Sequence, residues 1–348
     1  MWMRPPGSKI CSVAPNTAVA EICRRCPGRE IGLIGTETDT PAVPSHRLSW
    51  YRKAPMKTPA FHHIGLIAKD DAASVTGVIH EIVAILTQAR CEVLAGGPTT
   101  RFAPTARPVA MPDLPRQADL IIVVGGDGSL LAAARSTGWP KTPLLGVNLG
   151  RLGFLADLSP TELNKELPEI LAGRYGIEHR MLLRADSPDL DGNDALALND
   201  VVVKRINGGH LLELELMIGA IQLGRTRADG LIVASPTGST AYALSAGGPI
   251  VHPNLEALAI VHISPHSLGE RPIMVGADQT VHIRPVLNAG ERAEALLDGQ
   301  LRFELKPGKT LTVQRSKNSV QLLHPPSYEY FSNLRKKLGW GGWRTPSC

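Results

Sequence analysis

The nine residues Ile121-Ile122-Val123-Val124-Gly125-Gly126-Asp127-Gly128-Ser129 constrain this chain more than any other stretch. An apolar run flanked by turn formers reads as a central parallel strand buried on both faces. It stops at two glycines, a carboxylate and a third glycine, and a helix pattern begins at Ser129. Glycine allows positive φ and lets a bulky ligand approach the backbone. Free N–H groups at the start of a helix suit phosphate oxygens. A carboxylate in such a loop repels phosphate, so Asp127 needs another task. It could take a proton from a hydroxyl nucleophile, or reach Mg²⁺ directly or through water. The plainer alternative is a tight βα turn with Asp127 or Ser129 as the helix cap. A cap alone requires neither the glycine pair before it nor the glycine after it. The loop is not GxGxxG, and Gly308-Lys309-Thr310 is no Walker A element because Phe303 stands where the first glycine belongs.

Around this loop, strand and helix patterns alternate. His63–Ala68 reads as a buried strand and Ala72–Gln88 as a helix, with apolar positions at Val75, Val78, Ile79, Ile82, Val83 and Ile85. Glu92–Ala95 reads as a short strand, followed by a Pro-rich connection to the strand Asp119–Val124. A helix from Ser129 to Ser136, a strand Leu144–Val147 and a helix Pro160–Leu171 complete a small doubly wound layer. After Tyr175 short strand-like runs dominate: His179–Arg184, Ala195–Lys204, Leu211–Ile221, Gly230–Ala234, Leu258–Ile263, Gln279–Pro285 and Leu311–Val313. Asp298-Gly299-Gln300 reads as a hairpin turn. A last strand, Val320–Leu323, precedes Tyr328, Tyr330 and Phe331 and a final helix. The expected fold is therefore an α/β N-terminal domain over residues 56–175, then a β-rich domain over 176–317 and a C-terminal segment, 318–348.

Residues 1–55 are set apart. They lack sustained periodicity and are broken by Pro5, Pro6, Pro15, Pro27, Pro41 and Pro44, so a disordered or non-native leader is expected there, with Met56 as the natural start. The segment carries eight basic against four acidic side chains, most of the chain's formal charge of +5. The nearly neutral remainder argues against a nucleic-acid groove. Three of the five cysteines also fall in the leader, where Cys23 and Cys26 have CxxC spacing without clear partners. A cysteine-poor body fits a reducing compartment, the cytoplasm. No apolar stretch approaches the ~20 residues that cross a bilayer, so no membrane partner is expected. The histidines form no HExxH or Cys/His pattern, and no protein-held metal is assigned.

The glycine loop resembles a superfamily of kinases that contains NAD kinases, diacylglycerol and sphingosine kinases and 6-phosphofructokinases. Three further segments single out bacterial NAD kinases. Gly146-Val147-Asn148-Leu149-Gly150-Arg151-Leu152-Gly153-Phe154-Leu155 is similar to that family's G-x-N-x-G-x-L-G-F-L segment. Ala197-Leu198-Asn199-Asp200-Val201-Val202 resembles its Asn-Glu segment. Asp229–Tyr242 resembles its longest signature. The likeness runs from about His62 to Trp340 and implies an NAD kinase/diacylglycerol kinase-like first domain, to which the C-terminal segment from residue 318 onward returns. It implies transfer of the ATP γ-phosphate to the 2′-hydroxyl of the adenosine ribose of NAD, with Mg²⁺ accompanying ATP and a homo-oligomer, dimer or tetramer.

The same resemblance implies roles for individual residues. Asp127 is the general base, and Gly125, Gly126 and Gly128 line the phosphate cradle. Asn199 and Asp200 hold the nicotinamide ribose side of NAD, although Asp200 has an arm one methylene shorter than the usual Glu. Phe154 lies beside the adenine. Asp229, Thr240, Ala241, Tyr242 and Ser245 contact the dinucleotide, and Arg227 goes with ATP rather than polyphosphate as donor. His252 belongs to the resembling core without an assigned task. A lipid kinase with the same glycine loop and a non-catalytic nucleotide-binding regulator are the alternatives. Without the resemblance, Asn199-Asp200 reads equally as a buried polar turn, Gly238-Ser239-Thr240 as a helix cap, and Arg225 and Arg227 as edge-strand charges.

Overall fold

The computed structural model describes residues 60–68, 72–150, 153–156, 158–190, 195–206 and 211–340. The leader, Met56, the Cys23–Cys26 pair, and Arg151 and Leu152 of the glycine-rich segment lie outside these residues.

The first half is built on mutually parallel strands: β1 (His63–Ala68), β2 (Glu92–Gly96), β3 (Arg107–Val109), β4 (Leu120–Val124) and β5 (Leu144–Val147). The helices are α1 (Ala72–Gln88), α2 (Leu114–Gln117), α3 (Asp127–Ser136) and α4 (Leu163–Leu171). Val75, Ile79, Ile82 and Leu86 of α1 repeat at the spacing of one helical face and are buried with Leu163, Leu167 and Ile170 of α4. On the opposite sheet face, Leu130, Leu131, Ala133 and Ala134 of α3 pack with Ile121 and Val123. Helices on both faces explain why β4 is apolar at every position.

The second half contains β6 (Gly176–Asp186), β7 (Ala195–Ala197), β8 (Asp200–Arg205), β9 (Leu212–Ile218), β10 (Ile221–Ala228) and β11 (Gly230–Ala234). It continues through α5 (Tyr242–Ser245), β12 (Ala257–Ile263), β13 (Ile273–Gly276), β14 (Val281–Val286), β15 (Ala293–Leu297), β16 (Leu301–Leu305), β17 (Leu311–His324) and α6 (Tyr330–Leu338). One sheet runs β10-β9-β14-β17-β5-β4-β1-β2-β3, with β6 on β17 and β7 on β6. A second, antiparallel sheet runs β13-β12-β11-β8-β15-β16. Leu214, Ile283 and Val313 of the first sheet share one core with Val203, Val233, Ile260 and Ala295 of the second, as in a β-sandwich. An α/β layer thus leads into a strand-rich region, as the sequence predicts.

Several expected elements take a different form. The run Ala195–Lys204 is broken between β7 and β8, because the N–H groups of Leu198, Asn199 and Asp200 turn to the Asp298 carboxylate. The run Leu211–Ile221 ends at Ile218, and the chain reverses through Gly219 (φ +56°) into β10. The two runs expected at Leu311–Val313 and Val320–Leu323 are one strand, β17, with an irregularity in register between Arg315 and Ser319. The helix expected near Ser239 is a 3₁₀ turn, Thr237–Thr240, followed by α5.

Candidate functional site

The strand β4 delivers Gly125 to the start of α3. A Cβ at Gly125 would lie 2.3 Å from Ser129 Oγ, so the first glycine is required for the chain to turn here. Gly126 and Gly128 would place a Cβ in open space. Their smallness is not demanded by protein packing; both line a cavity of about 720 Å³ together with Gly125, Ser129, Leu149 and Gly150. Gly126 occupies the N-cap position, and no side chain caps the helix. The cap role considered for Asp127 or Ser129 is therefore absent.

Asp127 instead reaches across to the segment after β5. Its Oδ2 accepts from Phe154 N–H at 2.8 Å, and its Oδ1 accepts from Leu155 and Ala156 N–H, each at 3.0 Å. A Cβ at Gly153 would stand 2.0 Å from Asp127 Oδ1. Asn148 shapes the same loop: its Nδ2 donates to the Ala156 carbonyl at 3.1 Å and its Oδ1 accepts from Gly150 N–H at 2.9 Å. At Gly146 a Cβ would meet Ala156 Cα at 2.6 Å. The glycine-and-asparagine spacing of this segment therefore builds the receptor for one carboxylate. A cation completes it, since Lys337 Nζ of α6 lies 3.4 Å from Asp127 Oδ2 and 4.0 Å from the centroid of the Phe154 ring.

A second cavity, about 340 Å³, is lined by Asn199, Asp200, Ala241, Tyr242, Asp298 and Gly299 among others. The turn between β15 and β16 organises it. Asp298 adopts φ +52°, followed by Gly299 at +65°, the conformation that favours Asp-Gly in a two-residue hairpin. The Asp298 side chain is fully buried and accepts from Leu198 N–H at 3.0 Å, Asn199 N–H at 2.7 Å and Asp200 N–H at 3.3 Å. Arg135 of α3 adds a charge-assisted hydrogen bond at 3.0 Å and lies over the Trp139 ring. Burial raises the Asp298 carboxyl above its ordinary value, against the pull of these donors. Asp200, 5% exposed, is pushed up to about 7, first by burial and then by the charge of Asp298. Gln300 Nε2 donates to the Gly128 carbonyl at 3.2 Å. With the Arg135–Asp298 pair, that bond ties the glycine loop to the second cavity.

Of the residues singled out by sequence, Gly125, Gly126 and Gly128 share the first cavity. Asp127 and Phe154 meet beside it, and Asn199, Asp200, Ala241 and Tyr242 line the second. Thr240 sits on the adjoining 3₁₀ turn, its Oγ1 donating to the Thr237 carbonyl at 3.2 Å. That turn must pass close to Asn199, since a Cβ at Gly238 would be 2.0 Å from the Asn199 carbonyl oxygen. Ser245 is exposed at the end of α5. Arg227 on β10 and Asp229 before β11 are exposed, and β11 separates them from Asp200, which pairs with Ala234 at its other end. Neither lines the two cavities. The His252 ring contacts Tyr330 and Phe331, at centroid distances of 4.7 and 5.6 Å. In the sequence Asp298 reads as a turn residue, and nothing singles out Lys337. A D-G pair announces a hairpin whatever its carboxylate does. Arg335-Lys336-Lys337 reads as ordinary positive charge at a helix C-terminus. The described residues bring together no group of three His, Cys, Asp or Glu side chains able to hold a metal ion.

Comparison with known proteins adds independent information. The family model for the ATP-NAD kinase N-terminal domain matches residues 64–175, and that for the C-terminal domain matches 198–325. An NAD kinase of Teredinibacter turnerae is 42% identical over 285 residues, covering 81% of this chain and 97% of that protein. One of Nitrosospira multiformis is 48% identical over 236 residues, covering 67% and 80%. Among solved structures, an NAD kinase from Archaeoglobus fulgidus in complex with ATP superposes with a TM-score of 0.60 at 25% identity, covering 80% of this chain and 97% of the other. Yeast NADH kinase complexed with NADH gives a TM-score of 0.75 at 24% identity, covering 86% and 95%, a likeness of fold.

Proposed function

The chain belongs to the ATP-NAD kinase family, and on that premise we propose how its residues divide the work. The reaction is transfer of the ATP γ-phosphoryl group to the 2′-hydroxyl of the adenosine ribose of NAD, giving NADP. The observation that carries the assignment of roles is the Asp127 carboxylate. It is fixed by three backbone N–H groups at the edge of a glycine-lined cavity rather than spent as a helix cap. Asp127 accepts the ribose proton as the 2′ oxygen attacks phosphorus. Gly126 and Gly128 leave the backbone open to phosphate oxygens. Because the transition state is loose, holding donor and acceptor in line matters more than the strength of the base.

Asn199, Asp200, Ala241 and Tyr242 surround the dinucleotide, with Thr240 on the adjoining turn and Phe154 beside the adenine. Arg227, Asp229 and Ser245, which lie off the two cavities, are assigned outer contacts. Mg²⁺ enters with ATP as part of the substrate; both Asp127 oxygens already accept donors. Ile221 and Leu223 on β10 and Met274 on β13, exposed apolar side chains on edge strands, support a homo-oligomer, dimer or tetramer. Among the described residues no helix is long and apolar enough to cross a membrane. Cys91, the one described cysteine, is a free buried thiol, which supports a reducing compartment, the cytoplasm.

The direct test supplies purified protein with NAD, ATP and Mg²⁺ and measures NADP with an NADP-specific dehydrogenase. Asp127→Asn protein is expected to turn over about 10²-fold more slowly or worse, with NAD binding by calorimetry preserved. No NADP from well-folded parent protein would sink the reading.

A further inference from the structure

We propose that Lys337 is a catalytic residue of the phosphoryl transfer, a cation carried into the cleft by the C-terminal helix that passes from Asp127 to the phosphoryl oxygens when substrates enter. The proposal rests on the kinase reading above and extends it to a residue distant in sequence from the reacting loop.

The loop itself explains why a cation is wanted. Gly125-Gly126-Asp127-Gly128-Ser129 presents one carboxylate and no positive side chain, whereas phosphoryl transfer relies on neutralising the charge spread over the equatorial oxygens. Among the described residues, Lys337 is the one cation paired with Asp127. Arg135, the nearest arginine on α3, is committed to the buried Asp298 carboxylate.

Lys337 is not a stray surface lysine. Tyr330, Leu334 and Lys337 fall at i, i+4 and i+7, one face of α6. Leu334 on that face is 3% exposed, and Tyr330 sets its ring edge-on to His252. Gly339 closes the helix in the left-handed conformation, with the Trp340 N–H donating to the Arg335 carbonyl. The face that anchors α6 is therefore the face that aims Lys337 into the cleft.

Its present position cannot be its working one. The ammonium stands over the face of Phe154, the ring assigned to the adenine, and bonds the same Asp127 oxygen that accepts from Phe154 N–H. With three N–H donors and an ammonium on its two oxygens, Asp127 has little capacity left for a ribose hydroxyl. Moving the ammonium a few ångströms toward incoming phosphate restores that capacity and puts a positive charge on the group being transferred. In the step itself, the bond from the ribose 2′ oxygen to the γ-phosphorus forms as the bond to the β,γ-bridging oxygen breaks. The breaking bond's electron pair leaves with ADP, the hydroxyl proton goes to Asp127, and Lys337 stays protonated throughout.

The experiment compares parent, Asp127→Asn, Lys337→Met, Lys337→Arg and Lys336→Met as full chains, with NAD and Mg·ATP as substrates. Lys337→Met is expected to lower kcat at least about tenfold, while the NAD dissociation constant stays within about twofold and the melting temperature is unchanged. Lys337→Arg should recover most of the rate, and Lys336→Met should match the parent. Parental kcat in Lys337→Met, a raised kcat, or a loss that follows melting temperature and NAD binding together would each overturn the proposal while leaving the kinase reading intact. Parent protein that makes no NADP would overturn both.

Discussion

Asp127 and Asp200 show how differently two carboxylates can be housed within one cleft. Asp127 is surrounded by donors at the edge of a cavity: three backbone N–H groups and the Lys337 ammonium. Asp200 is almost wholly buried beside a second carboxylate, Asp298, and its carboxyl is raised from 3.8 to about 7. The sign of the consequence follows from proton counting. Between those two values the folded protein keeps a proton on Asp200 that the unfolded chain has released. Stability therefore falls as pH rises through that window and levels off above it. Asp200→Asn cannot ionise and should lose this slope. Relative to the parent it should gain on the order of 1–4 kcal/mol between pH 4 and pH 8, read from urea midpoints without ligand. A difference between the two proteins that does not change with pH would contradict the assignment. Neither housing is visible in sequence. Asn199-Asp200 reads equally as a polar turn; the burial that raises its carboxyl comes from the fold, and the second carboxylate that adds to the effect lies 98 residues away.

At the level of elements, the β15–β16 turn does more than reverse the chain. Its Asp298 supplies the acceptor that three consecutive N–H groups at the β7–β8 junction would otherwise lack, and holds Arg135 of α3. Asp298→Ala should destabilise the fold by about 3–5 kcal/mol, because three backbone donors lose their acceptor and the partly buried Arg135 guanidinium loses its partner. Thermal or urea unfolding measures this directly, and a loss below about 1 kcal/mol would mean that water replaces the carboxylate. Elements were legible where apolar residues run together or recur at one period, and burial alone was not enough: β15 is buried at all five positions, but Glu294 interrupts its short apolar run and no strand is expected there. Positions β1, α1, β5 and β11 have continuous or periodic apolar patterns, and their expected limits match the observed ones. Strands β10, β13 and β16 carry mixed, partly exposed sequences on or near sheet edges, so no apolar run marks them. Strand β17 looked like two runs because its middle, Arg315–Asn318, is polar where the register with β6 shifts.

On the scale of the whole molecule, β17 is the strand through which the two halves join. It pairs parallel to β5 at Leu322↔Leu144 and antiparallel to β6 and β14. The parallel layer and the strand-rich half therefore share a backbone ladder. Leu322, 1% exposed, packs in the core under α3. Leu322→Ala should cost about 2–5 kcal/mol, and unfolding followed by far-UV circular dichroism and by tryptophan fluorescence should remain one coincident transition. Separate transitions would show that the halves are independent. The sequence by itself determined the parallel α/β layer, the strand-rich half, the glycine-lined loop and the family, because burial on both faces of β4 and close backbone approach at Gly125 leave few residue types that fit. Only the tertiary structure decided which groups surround each carboxylate. Asp127 meets Lys337 across 210 residues, and Asp298 meets Arg135 across 163. Such electrostatic partnerships depend on distances of a few ångströms set by how sheets and helices pack, and local residue patterns do not encode those distances.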